Sequence, residues 1–155
     1  MLTNYKKLAK TSATPGKTKL INHFLINDAW YLVDLPGYGY AKTSKKNRSA
    51  FISLIFEYLQ TRMNLYSLFV LIDSRHDPQQ NDVEFLEWLG INKVPFVICF
   101  TKIDKLSAVQ LTKKIEHYKN ELKKLWDPLP ELFVTSAVTL VGRTEILDFI
   151  EKTMK

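Results

Sequence analysis

The sequence contains few residues that could cross-link the chain and no segment that could anchor it in a membrane. Only one cysteine, Cys99, occurs among the 155 residues, and it lies inside the apolar run VPFVICF. A lone thiol excludes a disulfide framework and fits a reducing compartment, so we expect a cytoplasmic protein in which Cys99 is a small buried apolar side chain. No apolar run approaches the roughly 20 residues that cross a bilayer. The N-terminal segment MLTNYKKLAK also lacks the apolar core of an export signal, so we expect no membrane partner.

Acidic residues are absent from two segments of the chain. Residues 1–20 contain five lysines and no acid, and residues 35–48 contain three lysines and one arginine, again with no acid. The formal net charge of the whole chain is +6. Such basic clusters favour a polyanionic partner, either a nucleic acid or the phosphates of a nucleotide. A solvated basic face is the alternative, and charge alone does not decide between the two.

Apolar runs alternate with segments of helical periodicity along the chain. Near-continuous apolar strands that alternate with helices predict a mostly parallel α/β sheet covered by helices on both faces. We expect one antiparallel hairpin at its edge, with a turn at Asn27 and Asp28, and a single domain over residues 1–155. The predicted strands are KLINHFLI, AWYLVDL, YSLFVLID, VPFVICF and ELFVTSA. The predicted helices are residues 51–59, the segment NDVEFLEWLG ending at Gly90, residues 107–125 and residues 145–154. Ser107 and Gln110 predict a capping box at the start of the third helix.

Polar motifs follow three of the predicted strands, where ligands bind in sheets of this kind. The first, DLPG, spans residues 34–37. Asp34 could hold Mg²⁺ through water, and the backbone N–H of Gly37 could contact a terminal phosphate. A simple turn is the alternative, because aspartate, proline and glycine are all turn residues.

The second and third motifs have the chemistry of purine recognition. TKID spans residues 101–104, and its carboxylate could accept two N–H groups from the edge of guanine, while the aliphatic stem of Lys102 covers the base or the sugar. TSA spans residues 135–137, and its small side chains allow backbone N–H groups to approach the guanine oxygen. A solvated loop is the alternative for each motif alone. The order of all three motifs at three strand ends favours a guanine-nucleotide site.

Several longer segments of the chain resemble the EngB family of bacterial ribosome-assembly GTPases. The resemblance rests on KTSATPGKTKLINHF, YLVDLPGYGYAK, DSRHDP, FTKIDKL and VTSA, and it covers essentially the whole chain. It implies a three-layer P-loop-GTPase-like fold, GTP or GDP as ligand, Mg²⁺ as cofactor, and a cytoplasmic monomer. It also implies a role in assembly of the large ribosomal subunit, through that subunit or its RNA, with a link to cell division and septation.

The resemblance also implies a role for individual residues. Thr18 and Asp34 would hold the metal ion, and Thr18 would sense the terminal phosphate from the first switch segment. The implied GTP-binding residues are Gly16, Lys17, Thr18, Lys19, Leu20, Asp34, Leu35, Pro36, Gly37, Thr101, Lys102, Ile103, Asp104, Thr135, Ser136 and Ala137. No catalytic residue is nominated. Tyr38 stands where many related GTPases have a water-orienting glutamine, so we expect slow intrinsic hydrolysis.

The sequence departs from the family pattern at its start. A phosphate loop has the form GxxxxGK[ST], but Thr11 occupies the position of the first glycine before Gly16. We therefore expect a chain truncated at its N-terminus, without the first strand and the phosphate loop, and with weak GTP binding. The leading interpretation is a GTP-binding protein of ribosome assembly. The alternative is a non-enzymatic RNA- or ribosome-binding module that binds no nucleotide, whereas the absence of GxGxxG argues against a Rossmann-type metabolic enzyme.

Overall fold

The computed structural model describes residues 1–3, 21–38 and 45–155, with side chains in the first helix described from residue 52 onward. The predicted residues 16–20 therefore lie outside the described part of the chain. Two compact units are present. One comprises Thr3–Met63, and the other comprises Met1–Leu2 together with Asn64–Lys155.

The unit Thr3–Met63 contains the predicted hairpin. Strands β1 (Asn22–Ile26) and β2 (Trp30–Asp34) pair antiparallel, with Ile26 opposite Trp30. Asn27 and Asp28 both have φ near +50°, a left-handed conformation that these two residue types tolerate better than most, and this conformation reverses the chain. The structure thus confirms the predicted turn. The prediction that the hairpin forms an edge of the parallel sheet was wrong, because among the described residues β1 and β2 make a two-stranded sheet of their own.

Helix α1 (Lys45–Thr61) belongs to the same unit and confirms the helical periodicity after the basic segment. Its Ile55 and Leu59 are buried, as their spacing predicts. The ring of Tyr58 meets the edge of the His23 ring from β1, and the His23 Nε2 atom lies 3.2 Å from the Tyr58 hydroxyl. This contact attaches the helix to the hairpin.

The second unit is built on a parallel sheet with the strand order β3–β4–β5. Its strands are β3 (Leu68–Asp73), β4 (Phe96–Thr101) and β5 (Leu132–Val134). The four central residues of β4, at positions 97–100, are all buried. Successive side chains of a strand point to opposite faces, so burial of four in a row means that both faces of the sheet are covered.

Three helices alternate with these strands: α2 (Gln80–Ile91), α3 (Ala108–Leu122) and α4 (Arg143–Thr153). Helix α3 begins with the predicted capping box, in which Ser107 accepts from the Gln110 N–H and the Gln110 side chain accepts from the Ser107 N–H. Cys99 is fully buried as predicted, and burial raises the pKa of its thiol to about 12, so it is an inert core residue. Within the described residues, no helix has the length and apolar character needed to cross a membrane.

Three predicted boundaries were wrong for packing reasons. Gly90 does not end α2 but lies inside it, where an added Cβ would stand 3.0 Å from the indole nitrogen of Trp126, so glycine permits this close packing. Leu125 lies beyond the end of α3 and is 41% exposed rather than part of its apolar face. Strand β5 ends at Val134, and the backbone leaves the sheet at Ser136, whose N–H donates to the Val141 carbonyl within the loop.

We predict that Gly142→Ala destabilises the protein by at least about 2 kcal/mol. Gly142 has φ of +78°, which costs a non-glycine residue about 1–2 kcal/mol, and an added Cβ would stand 2.2 Å from the Val134 carbonyl oxygen. Urea unfolding followed by far-UV circular dichroism measures the change. Thr139→Ala, at an exposed position in the same loop, is the control and should shift stability by less than about 0.5 kcal/mol. Equal midpoints for the two variants would contradict this account.

Candidate functional site

The carboxyl ends of the three parallel strands bring two of the predicted motifs together. In the sheet register Asp73 lies opposite Thr101, and Phe100 lies opposite Val134. The loops that follow β4 and β5 therefore start side by side. The N–H of Ile103 donates to the carbonyl of Thr135 at 3.3 Å, which joins the backbones of the two motifs directly.

The loop after β4 turns sharply at Lys102. This residue has φ of 61° and ψ of 31°, a left-handed conformation that few residues other than glycine, asparagine and aspartate adopt. Thr101 fixes the start of the loop, because its hydroxyl donates to the Ile72 carbonyl at 3.1 Å. A short 3₁₀ turn over Ile103–Lys105 follows and places Asp104 beside the loop after β5.

The Ser136 hydroxyl connects the two motifs through Asp104. Ser136 is fully buried, and its Oγ donates to Oδ1 of Asp104 at 2.6 Å. The Ser136 Oγ also accepts from the backbone N–H groups of Val138 and Thr139, each at 3.1 Å. One buried hydroxyl therefore shapes the loop after β5 and holds the carboxylate of the loop after β4.

The donors around Asp104 do not fill its acceptor capacity. A carboxylate has about four lone-pair sites. Besides the backbone N–H of Asp104 itself, two neighbours donate to the carboxylate: Ser136 donates to Oδ1, and the Lys105 ammonium lies 3.3 Å from Oδ2, so about one site is left. These two neighbours, the Ser136 hydrogen bond first, hold the pKa of Asp104 below its usual range, so the group is an acceptor at neutral pH.

The DLPG motif lies in the other unit and is described by itself. Asp34 is the last residue of β2 and is exposed, with Asn22 as its cross-strand partner. Pro36 is buried, Leu35 is partly buried, and Gly37 is exposed. Among the described residues there is no group of three or more histidine, cysteine, aspartate or glutamate side chains that could hold a metal ion.

Asp73 and Arg75, at and just beyond the end of β3, also belong to this polar edge, and neither was among the predicted site residues. Asp73 is the last residue of β3, and its carboxylate contacts the ammonium of Lys102 at 2.9 Å. Arg75 donates to the same carboxylate. The sequence pattern that could have identified Asp73 is the one that identified Asp34 and Asp104. All three are carboxylates at or just after the end of an apolar strand.

Known proteins resemble this chain over most of its length. The model of a family described as "50S ribosome-binding GTPase" matches residues 1–102. The "probable GTP-binding protein EngB" of Christiangramia forsetii is 56% identical over 151 residues, which cover 97% of this chain and 76% of that relative. The protein of the same name from Bacteroides thetaiotaomicron is 56% identical over all 155 residues and 77% of its own length.

The chain belongs to the EngB family. Solved structures support the corresponding fold. An Era protein in complex with MgGDPNP and nucleotides 1506–1542 of 16S ribosomal RNA aligns over 95% of this chain and 48% of its own, with a TM-score of 0.71 and 19% identity. A crystal structure of a probable EngB aligns over 86% of this chain and 80% of its own, with a TM-score of 0.69 and 16% identity. The predicted P-loop-GTPase-like α/β fold is confirmed.

We predict that Ser136→Ala raises the pKa of Asp104 toward the ordinary carboxyl range. The serine hydrogen bond is the largest cause of the lowered value, so its loss should raise the pKa more than Lys105→Met does. A carboxyl-detected NMR titration of Asp104 in both variants measures this order. Because folding lowers this pKa, the ionised group stabilises the protein above the ordinary carboxyl range, and the contribution is lost as pH falls through the folded value.

Unfolding measured at acidic pH provides a second check of the same prediction. The difference in the free energy of unfolding between wild type and Ser136→Ala should decrease as pH falls. Protonation of Asp104 removes the negative charge of the carboxylate to which the Ser136 hydroxyl donates. A difference that stays constant across the titration of Asp104, or a larger pKa rise in Lys105→Met, would show that the serine is not the main cause.

Proposed function

We propose that this chain binds GTP and GDP, and that the loops after β4 and β5 read the guanine base. The observation that supports this most directly is the Ser136–Asp104 hydrogen bond of 2.6 Å, which holds an ionised carboxylate at the junction of the two loops. Guanine presents an N1–H and an exocyclic amine on one edge, and an ionised carboxylate accepts both. Adenine presents an unprotonated N1 at the corresponding position and would leave the carboxylate facing a lone pair.

We assign the other predicted site residues to contacts with the base, the metal ion and the phosphates. Ala137 is exposed at the start of the loop after β5, so its backbone can approach a base oxygen. Thr101 and Ile103 fix the loop that carries Lys102 and Asp104, through the Ile72 and Thr135 carbonyls. In the other unit, the exposed carboxylate of Asp34 is a hard oxygen ligand of the kind that Mg²⁺ takes, alongside several waters. Gly37 and residues 16–20 are proposed as phosphate contacts on the family resemblance.

We further propose that the protein acts in assembly of the large ribosomal subunit as a cytoplasmic monomer, with the subunit or its RNA as partner. The family description names the 50S subunit, which supports the large subunit as partner. The Era neighbour is bound to 16S ribosomal RNA, which belongs to the small subunit, so it supports only an RNA partner in general. The net charge of +6 suits an RNA surface. A link to cell division and septation, and the single domain over residues 1–155, rest on the family resemblance.

We predict that Asp104→Asn exchanges guanine for xanthine preference. An asparagine amide cannot accept both guanine donors, but it can donate to the extra carbonyl of xanthine. GDP affinity should fall by about 1.5–3 kcal/mol, roughly ten- to a hundredfold, while XDP affinity rises. Isothermal titration calorimetry with both nucleotides measures this. Asp148→Asn, an exposed aspartate on α4, is the matched control. Unchanged GDP binding by Asp104→Asn would show that Asp104 does not read the base. No GDP binding by wild type would favour the RNA-binding alternative.

We also predict that binding to large ribosomal subunits weakens as salt concentration rises, through the basic segment at residues 35–48. Charge reversal at Lys42, Lys45 and Lys46 should flatten the plot of log affinity against log salt. Its slope should change on the order of one unit for each RNA phosphate that the variant no longer neutralises.

The control for this salt experiment is charge reversal at Lys113, Lys123 and Lys152, which changes the net charge equally at sites on or just beyond α3 and on α4. Sedimentation binding at a series of KCl concentrations compares the two triple variants. Equal slopes would mean that total charge, and not the basic segment, governs the interaction.

A further inference from the structure

The carboxylate of Asp73 has no capacity left for a ligand. Its Oδ1 accepts from the backbone N–H of Arg75 at 3.1 Å and from Nε of Arg75 at 2.9 Å. Its Oδ2 accepts from Nη2 of Arg75 at 2.6 Å and from the ammonium of Lys102 at 2.9 Å. A carboxylate has about four acceptor sites, so these four donors fill it and leave none for a metal ion or a base edge.

Asp73, Arg75 and Lys102 form a cluster of three charged side chains. Hydrogen bonds from Arg75 first, and then from Lys102, hold the pKa of Asp73 well below its usual range, so the carboxylate stays ionised. One carboxylate, one guanidinium and one ammonium leave a net charge of +1 at the carboxyl ends of β3 and β4. The cluster therefore attracts an anion while its own carboxylate is shielded.

Lys102 is restrained at both ends of its side chain. Its backbone is held in the left-handed conformation at φ 61°, and its ammonium is held on Asp73 across the strand end. The side chain is 54% exposed, and a free exposed lysine would sample many rotamers. Arg75 keeps the carboxylate itself in place through a two-pronged contact, so the lysine is anchored to a fixed point.

We propose that Asp73 is a positioning residue that immobilises Lys102 before any nucleotide arrives, so that the lysine stem is already placed for the base or the sugar. This inference rests on the proposed function for its consequence in nucleotide binding. Its structural part, an ammonium held by Asp73, stands apart from that function. Immobilising a long side chain in advance reduces the entropy lost when the ligand binds.

The test uses the full chain with ¹⁵N-labelled lysine, and NMR detects the ammonium groups without nucleotide. Lys102→Met identifies the Lys102 signal, which should be ordered in wild type and lost or mobile in Asp73→Asn. Asp77→Asn is the matched control, because Asp77 holds the Lys114 ammonium at 2.8 Å in the same loop region. That variant should release Lys114 and leave Lys102 ordered. A mobile Lys102 ammonium in wild type, or one unaffected by Asp73→Asn, would overturn the proposal.

Nucleotide binding supplies the second arm, by calorimetry with GDP. Asp73→Asn should weaken GDP binding about tenfold, the size expected from ordering one long side chain at the moment of binding. In the Lys102→Met background the same change should cost almost nothing, since Asp73 acts only through Lys102. A full tenfold loss in that background would overturn the proposal. If wild type binds no GDP, the proposed function fails, and the NMR arm alone supports or overturns the positioning role.

Discussion

Strand β4 lies between two parallel neighbours with both of its faces covered, and the polar edge of the second unit depends on that burial. A strand in this position admits only apolar side chains along its length, so polar chemistry is confined to the residues beyond its end. Parallel pairing then places the ends of all three strands at one edge. Asp73, Lys102, Asp104 and Ser136 are neighbours for this reason, although the sequence separates them widely.

The polar edge is held by two carboxylates that have different tasks. Asp104 accepts from Ser136, Lys105 and its own backbone N–H and is not completely filled, so it is the carboxylate proposed to accept from the base. Asp73 is fully occupied by Arg75 and Lys102, and it acts only on its neighbours. The number of donors on each carboxylate, rather than its charge, separates the group proposed to read the base from the group that supports the loop.

Left-handed residues appear where this edge must turn. Lys102 and Leu140 have φ near +60°, and Gly142 has φ of +78°. Glycine bears such a conformation without strain, but lysine and leucine do not, so surrounding contacts must hold them there. For Lys102 the backbone contacts on either side are the Ile103 N–H on the Thr135 carbonyl and the Lys105 N–H on the Lys102 carbonyl. For Gly142 the reason for glycine is the Val134 carbonyl that fills the place of a side chain. In this unit, the backbone conformation of the loops therefore sets the geometry of the candidate site.

The sequence by itself determined the alternation of strands and helices, the hairpin turn at Asn27 and Asp28, the capping box at Ser107 and the family, because each is encoded in local periodicity or in a contiguous motif. It did not determine that Gly90 lies within its helix, because the indole that packs closely against it comes from Trp126, far along the chain. It also did not reveal the link from Asp73 to Lys102 or from Ser136 to Asp104. Those pairs are 29 and 32 residues apart, and only the parallel register of the folded sheet brings them within hydrogen-bond distance.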